Sequence, residues 1–211
     1  MGPVNPSRIK FVWWLIILFS QLVINIVAIL LSVFAGGSLK QLTLSPAFLE
    51  APVAFLVFSL VFGPIPEELG RRGYGLDALR SRMNLLQASL FLGVIWSVWH
   101  LPLVFVEGTF QHGLRASPAT LVSYFVAFVP SSILMSWIYY RTNRSTLSAI
   151  LFHFAGNAAG EMLQLALPPR VIQTVVAFVL AGVVLWMERS LLTQREFWIP
   201  SCGEEVPHER S

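Results

Sequence analysis

The sequence has 211 residues, of which 55% are hydrophobic and only 12% are charged, and its mean hydropathy is +0.70. A soluble domain carries about 25% charged residues, so this composition excludes a soluble protein and predicts an integral membrane protein. The net charge of +3 does not indicate nucleic acid as a partner, because the arginines are scattered instead of collected on one face. The single cysteine, Cys202, excludes an intrachain disulfide and a cysteine-rich metal cage.

Six apolar segments are long enough to cross a hydrocarbon core of about 30 Å. The first runs from Phe11 to about Ala35, follows Arg8 and Lys10, and is too long for a signal-peptide core, so it is predicted to be a retained span. The others lie at about 47–65, 85–106, 119–140, 146–167 and 171–192. We predict an all-α fold, a polytopic transmembrane bundle of about six spans. Residues 1–192 are expected to form a single domain, and 193–211 a short polar tail.

Lys and Arg are concentrated in alternate segments between these spans. The positive-inside rule therefore places both termini in the cytoplasm of a multi-pass protein of the cell membrane. The sequence PEELGRRGYG, from Pro66 to Gly75, and the loop near Arg144 then lie on that same side. A cavity between the spans is expected to open toward the cytoplasm.

A few ionisable or amide side chains lie within the spans or at their ends. A charged group near the bilayer centre costs at least about 2.5–3.5 kcal/mol, so each such group marks a candidate functional site. These residues are Glu67, Glu68, His100, His153, Asn157 and Glu161.

The two glutamates are followed by two arginines at helical spacing. If Pro66 opens a helix, Glu67 with Arg71 and Glu68 with Arg72 are both i, i+4 pairs. Two ordinary surface salt bridges explain this pattern without any function. Alternatively, one carboxylate in a poorly solvated site acts as a general base toward water, while an arginine orients the other.

His100 lies late in the third span, within WSVWHLP. Glu67 is 16 residues before Met83 and His100 is 16 residues after Asn84, so an antiparallel hairpin that turns there brings the two side chains level. This requires the helix to continue through the glycines of GRRGYG. A buried histidine packed beside tryptophans, with one hydrogen bond, is the structural alternative.

His153, Asn157 and Glu161 are spaced by four residues and therefore project from one face of a helix. Hydrogen bonds between helices, among the small residues of FAGNAAG, explain such a stripe in structural terms. The second histidine elsewhere in the chain favours a catalytic group instead. For Glu161, a structural contact and a charge that faces substrate remain equally open.

Three motifs carry a resemblance to a known family. EELGRR is similar to EExxxR, WSVWHLP to an aromatic-xxx-His motif, and HFAGN to HxxxN. In this order and spacing they resemble the CPBP intramembrane proteases, which include CAAX prenyl endopeptidases and bacteriocin-processing or self-immunity relatives. The resemblance covers residues 63–161.

The resemblance implies an intramembrane endopeptidase that hydrolyses a peptide bond of a membrane-associated protein or peptide, with a CAAX-type prenylated protein as one candidate. The resemblance implies that Glu67 and His100 activate water. It implies that His153 and Asn157 donate hydrogen bonds to the oxyanion, and that Glu68 and Arg72 hold the geometry of the site. The lipid bilayer and this substrate are the expected partners.

The sequence departs from the commoner family pattern at two positions. Arg71 stands where an aromatic residue is usual, and pairing with Glu67 would make that carboxylate a poorer base. Trp96 replaces the often-seen phenylalanine. No cofactor is favoured, because no HExxH string occurs and Asn157 is a poor zinc ligand, although zinc remains an alternative. A non-catalytic immunity or scaffold protein and a small proton-coupled transporter are the competing functions.

Overall fold

The computed structural model describes residue 6 and residues 9–163 and 167–195, without the side chains of residues 47, 167 and 168. Within these residues the secondary structure is helical apart from one isolated bridge between Leu44 and Leu163. The helices are α1 (Phe11–Phe34), α2 (Pro46–Glu50), α3 (Pro52–Val61), α4 (Pro64–Gly70), α5 (Leu76–Arg80), α6 (Leu85–His100), α7 (Phe110–Gly113), α8 (Pro118–Arg141), α9 (Thr146–Met162), α10 (Leu167–Met187) and α11 (Arg189–Thr193). The predicted all-α membrane bundle is confirmed.

Five helical segments of the described chain are long and apolar enough to cross a membrane, and these are Phe11–Phe34, Pro52–Arg80, Leu85–Phe105, Pro118–Arg141 and Pro169–Met187. Helix α9 has 17 residues and is about 25 Å long, so it is shorter than these segments. Six spans, which would include α9, and two cytoplasmic termini stay predictions. The predicted polar tail, residues 193–211, lies outside the described residues except for its first three.

The second span is longer than the sequence pattern indicated. Its helical path runs over Pro52–Arg80, with a break at residues 62–63 and a π-helical turn at Arg71–Gly75. The helix after the break begins at Pro64, two residues before the proline that was predicted to open it, because either proline suits a first helical turn, where the missing N–H costs nothing. Residues 66–75 therefore belong to this helical path, with Glu68 and Arg72 fully buried in the bundle.

A tight hairpin joins this path to α6, as the spacing of Glu67 and His100 predicted. The side chain of Asn84 accepts a hydrogen bond from the backbone N–H of Gln87, and the Gln87 side chain accepts one from the backbone N–H of Asn84. This capping box fixes where α6 begins. Gly73 lies beside Thr146, the first residue of α9. The part of the hairpin between Gly73 and the turn at Asn84 therefore projects past the start of α9.

Helix α8 is the centre of the bundle, since it packs against both α6 and α10, while α1 packs against α9 and α10. The α6–α8 contact is close because Gly93 has no side chain. A Cβ at Gly93 would lie 3.0 Å from the Cα of Val129 and 3.1 Å from the carbonyl oxygen of Phe128. The glycine thus brings α6, and with it His100, against the middle of α8.

We expect Gly93→Ala to lower the free energy of unfolding by about 1–3 kcal/mol, because the new methyl group meets backbone atoms that cannot rotate away. Gly182→Ala in α10 is the matched control, since a Cβ there meets nothing within 4 Å. That change is expected to be neutral or to stabilise by up to about 1 kcal/mol. Unfolding in detergent measures both variants, and equal effects would contradict the close approach.

Candidate active site

A cavity of about 290 Å³ lies within the bundle, and the four residues predicted to be catalytic all line it. Glu67 comes from α4, His100 from the end of α6, and His153 and Asn157 from α9. Residues of α1, α7, α8 and α10 complete the wall, so more helices contribute than the three that the sequence indicated. The structure thus brings the predicted residues to one cavity.

The cavity lies toward one end of the bundle. Its lining includes the N-terminal half of α10, the segment 110–114 that follows α6, residues 152–161 of α9, and α8 from Thr120 as far as Met135. This end is opposite the turn at residues 142–145, which the positive-inside rule places in the cytoplasm. The cytoplasmic opening of the cavity and the cytoplasmic position of this turn therefore do not hold together, and both stay predictions. Arg71 and Arg72, which were counted as loop charges, lie inside the bundle.

A buried ionic network lies directly behind the cavity wall. Glu68 is completely buried, and its Oε2 accepts a hydrogen bond from Nη1 of Arg72 at 2.9 Å. Its Oε1 accepts from Nη2 of Arg71 at 2.6 Å and lies 3.1 Å from Nδ1 of His153. Arg72 also donates through Nη2 to the carbonyl oxygen and hydroxyl of Ser132, at 3.2 and 3.0 Å. Glu68 and Arg72 therefore connect α4, α8 and α9.

Arg71 connects the two carboxylates. Its Nη2 donates to Oε2 of Glu67 at 2.6 Å as well as to Glu68, and its guanidinium lies 3.9 Å from the centroid of the Trp96 ring. The side chain of Arg71 is 13% exposed and that of Glu67 is 21% exposed. The two predicted ion pairs are therefore present, but they are not the surface salt bridges of the structural alternative.

His100 has a defined tautomer when it is neutral. Its Nδ1 lies 2.9 Å from the carbonyl oxygen of Trp96, one helical turn earlier. Because a carbonyl oxygen only accepts, Nδ1 carries the proton and Nε2 is left as an acceptor. The ring stacks on Phe128 with 4.8 Å between centroids, which fixes the plane of the imidazole.

His153 is held by a carboxylate in a similar way. Its Nδ1 donates to Glu68, and its ring meets the edge of Trp96 with 4.9 Å between centroids. Nε2 of His153 can therefore donate only when the ring carries a second proton, with Glu68 as its counter-ion. Asn157 lies one turn further along α9, and a Cβ at Gly63 would be 3.4 Å from its Nδ2. The glycine at the α3–α4 break thus leaves room for this amide.

The sequence did not predict two contacts to the site residues, and it left the role of Glu161 open. Ser132, which binds Arg72, and Phe128, which stacks on His100, both belong to α8. A signal for Ser132 existed, because it lies beside Ser131 and close to Pro130 in an otherwise apolar span. Glu161 accepts a hydrogen bond from Ser59 at 3.4 Å, which is the contact of the structural alternative, and it also lines the cavity. A role of Glu161 toward substrate stays a prediction.

Comparisons with known proteins agree with the motifs. A family model described as type II CAAX prenyl endopeptidase Rce1-like matches residues 49–159. This range includes the six residues to which the resemblance gives roles, Arg72 among them, but not Glu161. The chain is also similar to CAAX prenyl protease 2 of Methanococcus maripaludis, with 32% identity over 172 residues. That alignment covers 81% of this chain and 64% of the relative, so the chain spans less than two thirds of the relative's length.

Arg72→Met is expected to lower the free energy of unfolding by about 3–5 kcal/mol, because it removes one partner of a buried ion pair. Arg82→Met is the matched control, since Arg82 is exposed in the turn before α6, and it is expected to change stability by less than about 0.5 kcal/mol.

Adding Glu68→Gln to Arg72→Met is expected to cost less than the sum of the two single variants, because the unpaired charge is then removed as well. The comparison is made by unfolding in detergent. Additive effects would show that the two side chains do not act as a pair.

Proposed function

Because the chain belongs to the Rce1-like family of type II CAAX prenyl endopeptidases, we propose that it is an intramembrane endopeptidase that cleaves a peptide bond with activated water. The observation that carries this proposal is the meeting of Glu67, His100, His153 and Asn157 at one cavity within the bundle. A base and separate hydrogen-bond donors are what water attack on an amide requires.

In the proposed reaction, Glu67 is the general base. Its carboxylate lies at the cavity wall, and Nε2 of neutral His100 is a second acceptor, so a water molecule between them donates one hydrogen to each. Glu67 takes a proton from this water while the water oxygen attacks the scissile carbonyl carbon. The ion pair with Arg71 holds the carboxylate in place.

Asn157 and His153 are proposed to stabilise the oxyanion that this attack creates. The Asn157 amide donates as it is, and His153 donates through Nε2 as an imidazolium paired with Glu68. When Glu67 takes the proton, its negative charge passes to the oxyanion, so the net charge of the site stays the same. The cationic groups of Arg71, Arg72 and His153 therefore remain balanced as before. The tetrahedral intermediate then breaks its C–N bond, and the leaving amine takes the proton held by Glu67.

The proposed substrate is a membrane-associated protein or peptide, and a prenylated CAAX protein is its first candidate because of the family and of the relative's name. The bilayer is the other proposed partner, and the cell membrane the proposed location. A scaffold or immunity protein explains less, because binding alone does not require a carboxylate, two oriented imidazoles and an amide at one cavity. A proton-coupled transporter is disfavoured because Glu68 is fixed by three cationic or hydrogen-bonding neighbours.

We favour a glutamate-based mechanism without metal. One candidate zinc ligand already has partners, since Glu68 is paired with two arginines and with Nδ1 of His153. The guanidinium of Arg71 also lies on Glu67, where it would repel a cation. Among the described residues, no cluster of three or more His, Cys, Asp or Glu side chains has metal-binding proximity.

Glu67→Gln tests the proposed base, because it keeps the shape of the side chain and removes its ability to accept a proton. Cleavage of a membrane-associated peptide by protein reconstituted in vesicles is expected to fall by at least about 10²-fold, with an unchanged unfolding temperature. Glu107→Gln, the same change in an exposed loop, is expected to retain full activity. A Glu67→Gln variant that keeps its cellular function would favour a scaffold.

Metal removal tests the catalytic type. We expect the purified protein to keep its peptidase activity after treatment with a strong zinc chelator and dialysis. Activity should persist because, in the proposed mechanism, Glu67 and His100 activate the water without a metal ion. Activity that is lost on chelation and restored by added zinc would overturn the metal-free mechanism, while leaving the proposed peptidase function in place.

A further inference from the structure

One amide on the wall of the cavity takes no part in the proposed mechanism. Gln21 of α1 lines the cavity together with Glu67 and Asn157. It lies ten residues after the start of α1 at Phe11 and thirteen before its end at Phe34, near the middle of the span. Its carboxamide makes no hydrogen bond to any residue that the structure describes. An amide without a partner at this depth is costly, so the group is expected to bind water or a ligand in the cavity.

Other amides on the same wall already have protein partners. Gln173 donates to Oδ1 of Asn25 at 2.6 Å, which joins α10 to α1. Gln111 donates to the hydroxyl of Tyr124 at 2.9 Å. Asn25 lies one helical turn after Gln21, so α1 carries one amide that binds a neighbouring helix and one that faces the cavity without a partner.

The residue of α9 that faces Gln21 is a glycine. A Cβ at Gly156 would lie 3.7 Å from Cδ and 4.0 Å from Oε1 of Gln21, and glycine offers no side chain to bind the amide. Gly156 follows His153 by three residues and precedes Asn157 by one, which corresponds to a rise of about 4.5 and 1.5 Å along α9. The Gln21 amide therefore lies level with the two residues proposed to bind the oxyanion.

We propose that Gln21 binds the backbone of the substrate beside the scissile bond and holds it extended in the active site. This inference rests on the proposed peptidase function. A carboxamide suits this task because it has an acceptor oxygen and two N–H donors. The N–H and C=O of one residue in an extended chain point to the same side, so a single amide can bind both.

A contact of this kind selects the conformation of the substrate and not its side chains. The backbone groups of an intact helix are bound within the helix, so they are not available to Gln21. The favoured substrate is therefore an extended, membrane-associated segment and not an intact membrane-spanning helix.

Replacing single amides of the substrate by esters tests this contact. Each backbone amide of a prenylated CAAX peptide, the first candidate substrate, is exchanged in turn, which removes one N–H donor. With the full chain in vesicles, one ester beside the scissile bond is expected to lower kcat/KM by about 3- to 10-fold, as the loss of one hydrogen bond does. Gln21→Met, of similar length and volume, is expected to lower kcat/KM for the all-amide peptide by a similar factor. The same ester should then cost this variant nothing further.

Two other variants control for effects on folding and packing. Gln194→Met makes the same change at an exposed position outside the cavity lining, and it is expected to keep full activity and full ester sensitivity. Gln21→Asn keeps an amide on α1 but shortens it by one methylene, so it is expected to lose the ester sensitivity as Gln21→Met does. An ester that costs the Gln21 variants as much as wild type would overturn the proposal, since Gln21 would then act only on helix packing or a bound water.

Binding to the Glu67→Gln variant separates this proposal from the peptidase function. The labelled all-amide peptide and its ester are titrated into Glu67→Gln and into Glu67→Gln with Gln21→Met, with fluorescence anisotropy as the readout. Tighter binding of the all-amide peptide that depends on Gln21 supports the backbone contact even where no cleavage occurs. Equal binding of the two peptides to Glu67→Gln contradicts it, even for a protein that proves to be an active peptidase.

Discussion

The burial of Glu68 is the constraint on which the rest of the site depends. A lone carboxylate in a bilayer-spanning bundle is costly, and Glu68 is stabilised there because Arg71, Arg72 and His153 all bind its two oxygens. Arg72 in turn requires Ser132 from α8. The need to compensate one charge therefore fixes α4, α8 and α9 relative to one another, and with them the walls of the cavity.

Two adjacent glutamates acquire different roles from their surroundings. Glu68 faces the packed interior and is satisfied on both oxygens, whereas Glu67 keeps part of its surface at the cavity and has Arg71 as its ionic partner. Neighbouring carboxylates in enzymes are commonly divided in this way by environment. Arg71 and Arg72, which bind these carboxylates, are the first two residues of the π-helical turn Arg71–Gly75.

Much of the site could be predicted from spacing, because helical periodicity and the position of a turn decide which side chains share a face or a level. Glu67 and His100 follow from the Asn84 hairpin, and His153 with Asn157 from a four-residue interval. Spacing alone could not establish the helical path through GRRGYG or the position of the cavity. Both depend on which side chains of other helices bind the buried charges. Ser132 and Phe128 contact residues of other helices, and the sequence of one span does not show which helices will pack against it.

The end of the bundle at which the cavity lies determines from which leaflet a substrate is drawn. The segment 110–114, which follows α6, lies at the same end of the bundle as the cavity. The turns at residues 81–84 and 142–145 lie at the opposite end. With the turns in the cytoplasm, as the distribution of positive charge predicts, a lipid-anchored chain would reach the proposed base Glu67 from the outer leaflet, and with the opposite topology from the cytoplasmic leaflet. In either topology we expect a cleaved fragment to leave on the side of the membrane where the segment 110–114 lies.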